Sequence, residues 1–159
     1  MEDGKIWTLR EAVITYRRTE FTLDAPDALG RVVRSSEGVA RIASEWIGSG
    51  IVESFVVFGL DAKLRIGAAC MVSRGGETST SISMAEVARF AVLSASAAVI
   101  FAHNHPSGDP TPSPDDLDFT RNASTTLRVL GIRLLDHVVV TDDAGRWFSF
   151  VDKGLIDAK

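Results

Sequence analysis

Apolar positions along the chain fall into alternating helical and extended patterns. From Ser36 they recur at helical spacing, through Val39, Ala40, Ile42, Ala43, Trp46 and Ile47, and "GSG" follows as a stop. "VESFVVFGLD" then reads as a strand, and "AKLRIGAACMVSRGG" as a second, joined by a tight "DAK" turn into an antiparallel hairpin. "SMAEVARFAVLSASA" predicts a helix: Ser83 and Glu86 have the spacing of a capping box, and Val87, Phe90, Ala91 and Ser94 form one small or apolar face. "AVIFA" is an unbroken apolar run, the pattern of a strand covered on both faces. "SPDDLDFTRNASTTLRVLGI" offers Ser113 as N-cap, Pro114 at the first helical position, acidic residues in the first turn and Gly131 as stop. "LLDHVVVTD" and "RWFSFVD" close the pattern as strands around a "DAG" turn.

The order helix, hairpin, helix, buried strand, helix, hairpin predicts an α/β domain with a mixed sheet and helices packed on it. Residues 1–34, with strand-like "AVITY" and turn-rich "TLDAPDALGR", read as an N-terminal extension, and residues 35–159 as the domain. No internal repeat or low-complexity tract interrupts it.

Composition narrows the function. At 159 residues the chain suits one domain, and 45% hydrophobic with 24% charged residues is the balance of a folded globular protein. A net charge of -4 argues against a wide electrostatic footprint for nucleic acid. With Cys70 alone, no intramolecular disulfide and no CxxC site can form, which fits a reducing compartment; a cytoplasmic location is expected. No apolar run has the length of a signal core or a membrane span.

The chemistry concentrates in "AHNHPSGDPTPSPDDLDF", residues 102–119. His103 and His105, two apart on extended chain, point the same way and can reach one ion, and the loop brings Asp116 back to the same place. Two histidines and a carboxylate with one open position make a catalytic rather than a structural zinc site. Zinc lowers the pKa of its water to about 7 and polarises a carbonyl, which points to hydrolysis. Each residue has a plainer reading: loop histidines are often merely polar, and Asp116 suits the first turn of a helix in any case. The spacing of all of them together is the specific signal.

That spacing, H-x-H, ten residues, then Asp with Ser three before it, resembles the JAB/MPN (JAMM) metallohydrolases; His103, His105, Ser113 and Asp116 fill it. Asn104 between the histidines, "HPSGDPTPS" and "LLDHVVV" are similar to the bacterial RadC-like branch, from about Ser36 to Gly154. Ahead of the helix the branch usually has Pro-Arg-Glu, whereas this chain has "SMAEVARF" and keeps only Glu86. The resemblance implies a JAB/MPN (cytidine-deaminase-like) architecture and a Zn2+ cofactor held by His103, His105 and Asp116. It also implies amide-bond hydrolysis on an unidentified peptide or protein substrate. Its distant glutamate falls on Glu53, in "GIVESFVVFGL", as general base. Ser113 becomes a hydroxyl donor to the oxyanion of the tetrahedral intermediate as well as an N-cap.

Other candidates rank lower. Glu86 reads as a helix cap, Glu45 as a helix residue and Glu77 as part of a Gly-rich turn. His137 reads as a structural hydrogen-bonding residue, and Cys70 as a small core residue. Ser107, Gly108 and Asp109 shape the loop, Asp109 also being a candidate support for a ligand. Two alternatives to a metallopeptidase stand beside it: a role in DNA repair or recombination, and a metal-binding interaction domain without turnover. The helix-hairpin-helix region of larger RadC proteins is not found in these residues, so DNA is the weaker expectation. A zinc deaminase would need H-x-E and P-C-x-x-C, which the sequence lacks.

Overall fold

The computed structural model describes residues 29–75 and 82–157. The "AVITY" segment and Glu77 lie outside the described residues. A five-stranded mixed sheet has the order β2-β1-β3-β4-β5, with β1 Ser54–Leu60, β2 Ile66–Arg74, β3 Ala98–Asn104, β4 Arg133–Val140 and β5 Trp147–Ser149. Strand β1 is antiparallel to β2 and β3, β3 is parallel to β4, and β4 is antiparallel to β5. The α/β fold with a mixed, helix-covered sheet is therefore the one the pattern predicts.

Helix α1, Ser36–Ala43, begins at Ser35, whose hydroxyl accepts the Gly38 amide, and continues as a π-turn over Ser44–Gly48. It covers one face of the sheet through Val39, Ala40, Ile42, Ala43 and Ile47, against Val56, Phe58, Ile100, Ala102 and Val138. Helices α2, Met84–Leu93, and α3, Pro114–Val129, cover the other face, where Val87, Ala91, Ala123 and Leu127 meet Phe55, Val57, Val99 and Phe101. Burying a large apolar side chain contributes about 1.5–3 kcal/mol, so these two layers hold the sheet rigid from both sides. Strand β3, between them, is buried along its whole length, as an unbroken apolar run requires.

Three details depart from the sequence pattern. Ser83 caps α2 without a side-chain hydrogen bond, so the Ser83–Glu86 capping box does not close; Glu86 is exposed, and water can serve the first-turn amides there. Cys70 is half-buried on the outer strand β2 rather than in the core. In "RWFSFVD" only Trp147–Ser149 are strand. Beyond them the chain turns over Asp136, whose carboxylate accepts the Val151 amide and the Ser149 hydroxyl.

Candidate metal centre

The parallel pair β3–β4 ends beside the N-terminus of α3, the edge of an open α/β sheet where ligands bind. His103 is the last residue but one of β3, paired with Phe55 across β1 and Val139 across β4. His105 is still extended, its amide donating to the Val140 carbonyl at 2.9 Å. The two rings therefore project together, and their Nε2 atoms stand 2.9 Å apart. Gly108, at φ +76°, reverses the loop that follows, a conformation that costs glycine little. The loop then delivers Asp116 to the first turn of α3.

Asp116 heads the buried stripe of α3, followed by Thr120, Ala123 and Leu127, the spacing of one helical face. Its carboxylate does two jobs at once. It completes a capping box, with Oδ2 accepting both the Ser113 amide and the Ser113 hydroxyl at 2.7 Å. It also lies 3.4 Å from His103 Nε2 through Oδ1 and 3.6 Å from His105 Nε2 through Oδ2. Burial opposes ionisation of Asp116, but the imidazoles of His103 and His105 beside it, and then the Ser113 hydroxyl, outweigh it and hold the carboxyl far below its ordinary range. Asp116 is an anion at any physiological pH.

One donor atom from each of Glu53, His103, His105 and Asp116 lies within 4.8 Å of all the others. Ligands about 2.0–2.1 Å from a tetrahedral zinc stand about 3.3 Å from one another. The separations of 2.9, 3.4 and 3.6 Å among His103, His105 and Asp116 bracket that edge. The donor set fits one small divalent ion. Glu53 is the exposed member of the group; it sits just before β1, its carbonyl accepting the Gly75 amide at 2.6 Å.

Surrounding groups fix the donor side chains. His105 Nδ1 lies 2.8 Å from the Asp109 carbonyl. A carbonyl only accepts, so Nδ1 carries the proton and, in the neutral ring, Nε2 is the free lone pair. Support from Asp109 thus comes from its backbone, while its carboxylate accepts the Thr111 amide. The His105 imidazole is pushed above its ordinary pKa, first because its protonated form can donate to the Asp116 carboxylate, and against burial. His137 does make a buried hydrogen bond, to His103 Nδ1 at 2.8 Å.

A family model described as the RadC-like JAB domain matches residues 33–155. The chain belongs to this family. Relatives of this RadC-like JAB domain include the UPF0758 protein of Trichlorobacter lovleyi, 44% identical over 104 residues that make up 65% of this chain and 44% of that protein. The UPF0758 protein of Geobacter sulfurreducens is 43% identical over the same shares. That of Desulfitobacterium hafniense is 35% identical over 79% of this chain and 54% of its own length. The chain thus spans about half the length of the curated relatives it matches.

Two positions that hold the centre carry little signal in the sequence. Asn104, noted there only for its resemblance, accepts the Ser54 amide at 2.7 Å and donates to the Gly50 and Val52 carbonyls at 3.1 Å. It ties the segment carrying Glu53 to the end of β3. Gly50 eases this approach, since a Cβ there would stand 3.0 Å from the Ile47 carbonyl oxygen and 3.2 Å from Asn104 Nδ2, closer than ordinary contact. Thr120 is the other; only its place four residues after Asp116 hints that it faces the site.

Proposed function

We propose that this chain is a zinc-dependent hydrolase of amide bonds, a metallopeptidase or isopeptidase. The observation that carries the reading is the convergence of His103, His105 and Asp116 at zinc-ligand spacing beside the exposed Glu53. When bound, zinc supplies Lewis acidity, which makes hydroxide available near neutral pH and polarises a carbonyl.

The chain's own residues supply the rest. Glu53 accepts a proton from the attacking water and returns it to the departing amine nitrogen, so that water is added across the C–N bond. Asn104 holds the Glu53 segment in reach. Ser113 donates its hydroxyl to the developing oxyanion. In the structure the Ser113 hydroxyl donates to Asp116 Oδ2, so it rotates toward substrate while the Ser113 Oγ keeps capping the Asp116 amide.

Purified protein loaded with zinc, assayed against peptides, ubiquitin-like fusions and branched DNA, tests the proposal. Cleavage of an amide substrate, abolished by chelation, is expected. Metal-independent turnover, or turnover of DNA alone, would contradict it.

A further inference from the structure

Behind His103 runs a chain of buried hydrogen bonds whose direction is set by its last member. The Thr120 hydroxyl lies 2.6 Å from the Asp116 backbone carbonyl and 2.6 Å from His137 Nδ1. His137 Nε2 lies 2.8 Å from His103 Nδ1. A carbonyl oxygen has no proton to give, so the single hydroxyl proton of Thr120 goes to Asp116. Thr120 Oγ then has only a lone pair for His137, and His137 Nδ1 must be the donor. Both ring nitrogens of His137 are spent on Thr120 and His103, and the ring is fully buried among Phe55, Phe101 and Phe150. A second proton there would be a buried charge hydrogen-bonded to no carboxylate, which is costly. His137 Nε2 is therefore an acceptor, and His103 Nδ1 carries the proton.

We infer that Thr120 and His137 are positioning residues that lock His103 in the tautomer whose Nε2 is a bare lone pair aimed at the metal centre. The inference rests on the reading of His103 as a ligand, and it extends that reading to two residues outside the H-x-H, Ser and Asp spacing. A bulge in β4 makes it possible. The pairing of β3 with β4 slips between Val99 and Ile100, so that Val99 faces Leu134 but Phe101 faces His137. Without the extra residue, alternation would send His137 to the α1 face; with it, the ring reaches α3 and Thr120. His105 reaches the same state through the Asp109 carbonyl, so two lone pairs confront each other 2.9 Å apart beside a carboxylate. Such an arrangement calls for a cation between them.

The test is long-range proton–nitrogen NMR on 15N-labelled, metal-free protein at neutral pH, with zinc affinity measured by competition with a chelator. The wild type should show His103 and His137 both as Nδ1–H tautomers. Thr120→Ser should keep that signature and the wild-type zinc affinity. Thr120→Val removes the hydroxyl; His103 should shift toward the Nε2–H form, and zinc affinity should fall about 10- to 100-fold, the usual cost of losing a group that orients a ligand. Wild-type His103 found as Nε2–H would overturn the inference, as would a Thr120→Val protein with unchanged tautomers and affinity. Failure of the wild type to take up zinc would overturn the metal reading instead, and the tautomer spectra would still decide the direction of the relay.

Discussion

Glu53 and Asp116 are both carboxylates of the same cluster, but their surroundings divide the work. Asp116 is buried, hydrogen-bonded and anionic, whereas Glu53 is exposed and open to an incoming substrate. Glu53→Gln should keep fold and zinc but lower turnover by about 10²- to 10⁴-fold, measured on any substrate the wild type cleaves. Asp116→Asn should lose zinc. His137 brings a pH dependence of its own. Burial, and then the neighbouring His103, hold its pKa well below the ordinary 6.5. Below that pH the unfolded chain binds a proton that the folded chain refuses, so stability should fall as pH falls from about 6.5 toward the depressed folded value. The raised pKa of His105 acts in the opposite sense, its contribution being lost as pH rises. Denaturant midpoints of the metal-free wild type and His137→Gln should therefore converge with acid, the variant showing the shallower decline. Motif residues such as His103, His105, Ser113 and Asp116 were legible because their spacing along the chain is the signal. Thr120 and His137 were not legible as partners, because their meeting depends on a helix facing a bulged strand.

At the scale of elements, the site is assembled from three starts and ends: the segment before β1, the end of β3 and the first turn of α3. Asn104 is the tie between the first two. Asn104→Ala removes three hydrogen bonds to buried or half-buried backbone. An unmet buried donor or acceptor costs about 1–3 kcal/mol, so denaturant unfolding should show a loss on that order. Turnover should fall with zinc content unchanged, because Glu53 and not the ligand set loses its anchor. Apolar periodicity made most elements readable, β3 above all, since a strand covered on both faces has no polar alternation to confuse. It failed where a local rule had a substitute. The exposed start of α2 forms without a closed Ser83–Glu86 box, and the Asp136 carboxylate captures the Val151 amide just past the short β5.

For the molecule as a whole, the sheet is closed by helices on both faces, and no described helix is long and apolar enough to cross a membrane. The net charge of -4 gives a low field for phosphate backbones. DNA binding by this chain should be weak and strongly salt-dependent, read by fluorescence anisotropy; tight binding at physiological salt would favour a repair-associated role. The fold could be read from the sequence because each layer follows its own period. Substrate choice could not, since it depends on the surface around Glu53 and on whatever the longer relatives add. The central claim is that His103, His105 and Asp116 hold a single zinc. Elemental analysis of protein equilibrated with zinc and desalted tests it most directly: equimolar zinc in the wild type and almost none in a folded His103→Ala variant are predicted, whereas a zinc-free wild type or a fully loaded His103→Ala protein would contradict it.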